Sequence, residues 1–396
     1  MLKRYSYRAY PSAEQVEPLA RAFGCARWVY NMGIQVKESH YKETGKSFPN
    51  DELSKRLPAL KKTPETAWLS EVSSIILQQS LADLAKGYKN FFDGIKAKKR
   101  VGKPKFKKRT GRQSFRIVGA GSFEAKKLNR RWGVVRLPKI GDVKFRLSRD
   151  LPSVPTSVTM IQNPDGTYEV SFVVDAPARE PKPSTREAGV DLGLNHFAVI
   201  VYSDGTREKI ENPRHARKAE RKLAKAQKDL SRKKKGSNNR TKARLRVAKH
   251  HSAIKRQRLD FLNKFSFGLV NENQVTVTEG LSVKGLARAG AKGTRGRGMR
   301  RSVHDAGWGT ALTLISQKAL EMGREHVKTD MFYPSTRMCC LCGVISEKKD
   351  LSVRAWSCEC SPEVVLDRDY NAAVNELIAG GHSVYGESVR RVLASV

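Results

Sequence analysis

Residues 188–206 read AGVDLGLNHFAVIVYSDGT, a buried strand, a turn, and a second strand that ends at Asp204 and Gly205. An apolar strand followed at once by another marks a sheet covered on both faces, so the chain from here onward reads as mixed α/β. Asp191 lies inside the first strand with no basic neighbour in that strand. A buried carboxylate in that position is costly unless it is partnered, and a divalent metal is the economical partner. Gly193, two residues on, is expected on the same face, where its lack of a side chain leaves room for backbone or substrate.

Toward the N-terminus, the proline-bearing residues 176–184 form a linker and a domain boundary. Before it, SFRIV, WGVVRL, DVKFRL, SVTMI and TYEVSFVV alternate with period two, as in a small antiparallel barrel. The chain starts with a strand over residues 1–10. A helix then opens at Pro11 and Ser12 through a Ser-x-x-Gln capping box ending at Gln15. Val16, Leu19, Phe23, Ala26 and Tyr30 continue it at helical spacing, and Leu77, Leu81, Leu84, Tyr88 and Phe91 stripe a second helix. Cys25 falls within the first pattern and reads as a small buried hydrophobe. Residues 96–112 carry Lys and Arg without one acid, and Gly102, Pro104 and Gly111 prevent a continuous helix. Lys99, Arg100, Lys107, Lys108 and Arg109 are the candidate phosphate contacts there.

Toward the C-terminus, residues 214–258 oppose a long series of Lys and Arg to Glu220 and Asp229 alone. Helical spacing of Ala219, Leu223, Ala226 and Leu230, broken at residues 236–239, predicts a helical hairpin with basic outer faces. Arg221, Lys222, Arg232, Lys233 and Arg244 are its candidate phosphate contacts. Glu279 ends the strand VTVTEGL. The glycine-rich run that follows, with Lys292, Arg295, Arg297, Arg300 and Arg301, predicts a mobile basic lid over the metal site, and Trp308, Leu312, Ile315 and Ala319 stripe the next helix. Asp369 stands at a helix start in DRDYNAAVNEL, where Ala372, Ala373 and Leu377 face the core. It is favoured over Asp367, which reads as an N-cap or a residue behind the site. Asp191, Glu279 and Asp369 would hold two Mg²⁺ ions, in the order along the chain of an RNase H-like nuclease of the RuvC type.

Five of the six cysteines fall within 22 residues, and Cys339-x-x-Cys342 with Cys358-x-Cys360 has the spacing of a structural zinc ribbon. Cys340 is spare, and an iron–sulfur cluster or a redox pair is the weaker alternative.

The formal net charge is +37 on 396 residues, with 76 Lys and Arg against 39 Asp and Glu. Such a chain needs an extended polyanion, and the three separate basic runs suggest that two nucleic acids are held at once. No stretch approaches the roughly 18 apolar residues of a spanning helix and no signal core opens the chain, so a cytoplasmic protein without membrane contact is expected.

These motifs, RAYPSAEQ, FGCARWVYN, GVDLGLNHFAVI, TEGLSVKGL, FYPSTRMCCLCG and DRDYNAAVNEL, resemble the TnpB (OrfB) family of transposon-encoded nucleases, relatives of the type V CRISPR effectors. The resemblance spans nearly the whole chain. It implies a multidomain α+β protein. A wedge-like β-barrel (residues 1–10 and 114–184) would carry an inserted helical recognition domain (11–113). A RuvC-like nuclease domain (185–332 and 367–396) would carry a zinc-binding insert (333–366) that contacts target nucleic acid. It also implies a monomeric RNA-guided DNA endonuclease, which binds a guide RNA from the transposon end and cuts double-stranded DNA beside a short motif. Asp191, Glu279 and Asp369 match the catalytic three, and Cys339, Cys342, Cys358 and Cys360 match the zinc ligands. The sequence departs from the family at Cys358-Glu359-Cys360, where a second C-x-x-C followed by Gly is usual. This leaves Cys340 as an alternative ligand. A nuclease-inactive guided repressor and an unguided nuclease or transposase are the competing readings.

Overall fold

The computed structural model describes residues 1–384 except 100, 120, 289–293, 348 and 351, and the side chains of residues 287, 294 and 295 are likewise undescribed. Arg100, Lys292 and the side chain of Arg295 therefore lie outside the described residues. The chain divides into two compact units, Met1–Pro177 and the residues from Ala178 onward. The division falls within the linker expected at residues 176–184.

The first unit begins with β1 (Leu2–Tyr10), followed by α1 (Ala13–Thr44), α2 (Asn50–Lys62), a 3₁₀ segment (Pro64–Glu71) and α3 (Ser74–Lys96). The Gln15 side chain accepts a hydrogen bond from the Ser12 N–H at 3.0 Å, as the capping box requires. Gly45 ends α1 at φ 67°, a left-handed cap that suits glycine. Six strands complete the unit: β2 (Gln113–Val118), β3 (Glu124–Lys127), β4 (Trp132–Leu137), β5 (Gly141–Arg146), β6 (Ser157–Gln162) and β7 (Tyr168–Asp175). They form one antiparallel sheet with β1, in the order β2-β6-β7-β1-β5-β4-β3. The sheet is open at β2 and β3, so its ladder does not close into the expected barrel among the described residues. The helices are inserted between β1 and β2, as the resemblance implies, but they share one core with the sheet. Leu19, Phe23, Ala26 and Leu77 pack in the same cluster as Phe115, Phe145 and Phe172. Cys25 is buried there, and burial pushes its thiol up to about 11.

The second unit is built on β8 (Glu187–Asp191), β9 (His196–Tyr202), β10 (Arg207–Glu211), β11 (Val275–Thr278) and β12 (Glu325–Lys328). Their order is β10-β9-β8-β11-β12, antiparallel from β10 to β8 and parallel from β8 through β11 to β12. This arrangement is compatible with the RNase H-like sheet expected of the carboxylate order. Between the strands run α4 (His215–Ser231), α5 (Asn238–Glu272), α6 (Val283–Arg288), α7 (Thr294–Ala306) and α8 (Trp308–Met322). The hairpin β13 (Ala355–Cys358) and β14 (Ser361–Asp367) then leads into α9 (Arg368–Ala379).

Strand alternation sorts the side chains onto two faces. Ala188, Val190, Ala198 and Ile200 face a cluster with Leu262 of α5 and Ile315 of α8. Val199, Val201, Val275 and Val277 face Ala373, Val374 and Leu377 of α9. Gly189 lets α9 lie directly on β8, because a Cβ there would stand 2.2 Å from the Ala373 carbonyl oxygen. Gly193 leaves room for backbone, one of the two roles expected of it. A Cβ at Gly193 would meet the His196 carbonyl oxygen at 2.9 Å, so this glycine serves the β8–β9 turn.

Candidate metal centre

Asp191 and Glu279 are brought side by side by strand register. The parallel ladder pairs Val277 with Gly189 and Thr278 with Val190, so the next step up the two strands sets Glu279 beside Asp191. Both continue the face that α9 covers, since Gly189 and Val277 stand two residues before them. Neighbouring strands lie about 4.8 Å apart, so two carboxylates here repel unless a proton or a cation intervenes. Asp369 comes to the same face in the first turn of α9.

The electrostatics show the crowding. Burial raises Asp191 well above the usual carboxylate range, and the charges of Glu279, Asp369 and Glu376 raise it further. Glu279 is pushed up to about 7, first by burial and then by Glu376. Such a set of oxygen donors suits a hard divalent cation.

Asp367 is committed elsewhere. One oxygen, Oδ1, accepts from the N–H groups of Asp369 and Tyr370 at 3.0 Å and caps α9, while Oδ2 accepts from Lys209 Nζ at 2.6 Å. Asp369, held among the described residues only by Arg354 at 3.7 Å, is the more available of the two.

Four residues around this site were not singled out in the sequence. Asn371 and Asn375 are buried and clamp the segment before the cysteines. Both amides donate to the Met338 carbonyl at 2.7 Å, Asn375 also reaches the Ser335 carbonyl, and the Asn371 side-chain oxygen accepts from the Cys340 N–H. The close pairing of the motifs FYPSTRMCCLCG and DRDYNAAVNEL thus has a physical cause. Thr329 and Glu376 are the other two, joined by a 2.6 Å hydrogen bond. The i, i+7 spacing of Glu376 from Asp369 was the only available clue, and every exposed helical Glu shares that kind of spacing.

Behind Glu279, His326 bridges Thr278 Oγ1 at 3.0 Å and Ser316 Oγ at 2.7 Å. Burial depresses its pKa to about 4. A histidine depressed in this way contributes stability that is complete above its unfolded value of about 6.5 and is lost as the pH falls toward 4. Lowering the pH from 7 to 5 is therefore expected to remove up to about 2 kcal/mol through this one group. His326→Gln should flatten the fall in melting temperature over that window, and an unchanged slope would remove His326 as its source.

The Sγ atoms of Cys339, Cys342, Cys358 and Cys360 all lie within 4.8 Å of one another. The Cys339–Cys360 and Cys342–Cys358 separations are 3.8 and 3.7 Å. Four thiolates about 2.3 Å from a tetrahedral zinc stand about 3.8 Å apart, so the C-x-C departure is accommodated and the donor set fits that ion. The Cys360 N–H pulls the Cys358 thiol down to about 7, toward the thiolate a metal requires. Cys340 is outside the group of four, packed against the core, with burial pushing its thiol up to about 12.

The basic stretches are more ordered than expected. Gln113 donates to the carbonyls of Lys108, Arg109 and Gly111, and Asn31 pairs with both backbone groups of Lys107. This pins the loop and leaves Lys99, Lys108 and Arg109 exposed. The ammonium group of Lys107 is less free, lying 3.8 Å over the Tyr30 ring. The helical hairpin forms as α4 and α5, with Arg221, Lys222, Arg232, Lys233 and Arg244 exposed. The four acids of these two helices are already matched, Glu220 by Arg301, Asp229 by Arg246, Asp260 by Lys264 and Glu272 by Lys182. The expected lid is corrected over residues 294–306, which form the helix α7. This helix is anchored by Asp305, which accepts from the Ala216 and Arg217 N–H groups at the start of α4 and pairs with Arg258. Arg297 is exposed on α7. No helix among the described residues is long and apolar enough to cross a membrane.

Three family models match the chain: OrfB_IS605, described as a probable transposase, over residues 167–290; a helix-turn-helix domain of the same group over 1–46; and a Cas12f1-like TNB domain over 308–375. The second covers β1 and the single continuous helix α1. A protein of Streptomyces pristinaespiralis with the provisional name RNA-guided DNA endonuclease is 36% identical over 98% of this chain and 92% of its own. InsQ of Escherichia coli K12, with the same provisional name, is 31% identical over 98% of this chain and 95% of its own. Among solved structures, a Cas12f1–sgRNA–target DNA complex contains a chain matching 95% of this one and 98% of its own, at 12% identity and TM-score 0.58, a likeness of fold.

Proposed function

We propose that this chain, which belongs to the OrfB (TnpB) family of transposon-encoded proteins, is an RNA-guided DNA endonuclease that depends on a divalent metal. The observation that carries the reading is the placement of Asp191 and Glu279 at the ends of adjacent parallel strands, beneath the helix that carries Asp369. In this reading the three carboxylates hold two Mg²⁺ ions, which when bound would activate a water and stabilise the leaving oxygen of a phosphodiester. The chain's own contribution is to fix the three carboxylates. Strand register sets the first two, and the Asp367 cap with its Lys209 partner sets the start of α9 and so aims Asp369.

The finer assignments belong to the same proposal. Residues 1–10 and 114–184 act as the wedge, 11–113 as the recognition helices, 185–332 and 367–396 as the nuclease, and 333–366 as a zinc-bearing insert on target nucleic acid. Lys99, Arg100, Lys107, Lys108 and Arg109, with Arg221, Lys222, Arg232, Lys233, Arg244, Arg295 and Arg297, contact the phosphates of guide RNA and target DNA. The protein acts as a monomer in the cytoplasm. The test is to sequence the RNA that co-purifies, then challenge the complex with a plasmid library randomised beside a matching target. Mg²⁺-dependent cutting next to one short motif is expected, and purification without a discrete RNA would refute the guided reading.

Metal binding should be pH-dependent. Glu279 must give up its proton to become a ligand, and its pKa is about 7. Mn²⁺ affinity measured by calorimetry is expected to be about tenfold weaker at pH 6 than at pH 8. Equal affinities would place Glu279 outside the site.

A further inference from the structure

We propose that Glu376 is a fourth carboxylate ligand of this metal centre, oriented by Thr329. The inference rests on the metal-centre reading of Asp191, Glu279 and Asp369 and extends it. Glu376 follows Asp369 by seven residues on α9, two helical turns, so both project from the same side of the helix. Its side chain is fully buried, with a relative exposure of 0%. One oxygen, Oε2, accepts from Thr329 Oγ1 at 2.6 Å, while Oε1 is buried with no hydrogen-bond partner among the described residues. A buried carboxylate oxygen without a donor costs free energy, and a cation is the group that would offset it.

The position of Thr329 shows where the Glu376 carboxylate lies. The Thr329 N–H donates to the Thr278 carbonyl at 3.1 Å, which sets Thr329 beside the residue preceding Glu279. A Cβ on Gly280 would stand 2.3 Å from the Thr329 carbonyl oxygen, so the two segments run in direct backbone contact just past Glu279. Glu376 is also the one charge that raises Glu279, and it acts on Asp191 as well. Burial raises Glu376 above the usual carboxylate range, and Thr329 and Ser335 offset that rise only in part. No Lys, Arg or His pairs with Glu376 among the described residues. A purely structural glutamate held by Thr329 would need no buried second oxygen without a hydrogen-bond partner among the described residues.

The experiment is calorimetric titration of the full-length protein with Mn²⁺, which reads binding without cleavage. Glu376→Gln keeps the size of the side chain and the oxygen that Thr329 reaches, but removes the charge. It is expected to weaken Mn²⁺ binding by about tenfold or more at one site, with guide-RNA binding and the far-ultraviolet circular dichroism unchanged. Mn²⁺ affinity equal to wild type in a folded Glu376→Gln protein would overturn the proposal. Should that variant fail to fold, Thr329→Val decides, because it leaves Glu376 in place and removes only its orienting donor. A several-fold loss of Mn²⁺ affinity is expected, and no loss would overturn the proposal. Asp191→Ala serves as the reference. If the wild-type protein binds no Mn²⁺, the metal-centre reading itself fails, an outcome distinct from the failure of Glu376 alone.

Discussion

Replacing Asp191 by alanine is expected to reduce DNA cleavage on the order of a thousandfold while leaving guide-RNA affinity within a factor of two. The loss corresponds to about 4 kcal/mol of transition-state stabilisation, the scale expected when a directly coordinating charge is removed from a metal-dependent site. The fold should tolerate the change. Asp191 sits at the very end of β8, its carboxylate makes no side-chain hydrogen bond among the described residues, and burial together with the neighbouring acids holds its pKa well above normal. Removing one of several crowded negative charges relieves repulsion, so the metal-free melting temperature should hold or rise. Cutting equal to wild type would place the chemistry elsewhere, and lost RNA binding would make the effect one of folding. A nuclease-inactive repressor is the competing account, and the complete carboxylate trio argues against it.

Replacing Cys339 by serine is expected to release the metal and unfold the cysteine module. Cys339 is wholly buried, and its sulfur lies 3.8 Å from that of Cys360. Little else holds this segment together. Its apolar core is small, with Cys339 and Leu366 fully buried and Trp356, Leu341 and Val364 packed around them. Structural zinc contributes about 10 to 16 kcal/mol of apparent binding free energy in small zinc modules, far more than such a core supplies. The wild-type protein should carry about one zinc per chain, and the Cys339→Ser protein close to none, with new proteolytic cleavage between residues 337 and 360. Because Asn371 and Asn375 grip the backbone at Ser335 and Met338, loss of the module should loosen the start of α9 and slow DNA cleavage as well. Less than half a zinc per chain in the wild type would contradict the assignment.

The legible parts of the sequence were those where one residue type must sit in one kind of place. β8 and β9 could be read because unbroken apolar strands have nowhere to go but the middle of a sheet. The carboxylates Asp191 and Glu279 stood out because charge at the end of such strands is costly. The four cysteines could be read from spacing alone. Other features gave no local signal. β3 is Glu-Ala-Lys-Lys, an edge strand with no apolar alternation, and it forms only because β4 offers a ladder. The openness of the first sheet depends on which strands meet across more than 100 residues. Glu376 looks like any helical glutamate until Thr329, 47 residues earlier, is folded beside it. The pinning of the basic loop by Gln113 and Asn31 is equally non-local, and α7 forms where glycine content suggested a loop, held through the contact of Asp305 with α4.

The charge distribution makes more sense with the structure than with composition alone. Among the described residues, the four acids of α4 and α5 are each paired with an arginine or a lysine, while Arg221, Lys222, Arg232, Lys233 and Arg244 are exposed to solvent. An exposed face of one sign repels itself, and a phosphate backbone is the partner that relieves it.

On this mechanism, a bound RNA chooses where the carboxylates cut. The direct measurement is to purify the complex, replace the target-matching segment of its RNA with an unrelated sequence, and map cleavage on plasmids carrying either match, in Mg²⁺ and after digestion of the RNA. Cutting should move to the new match and disappear when the RNA is digested. Cutting that stays at the original site, or that survives removal of the RNA, would contradict the claim.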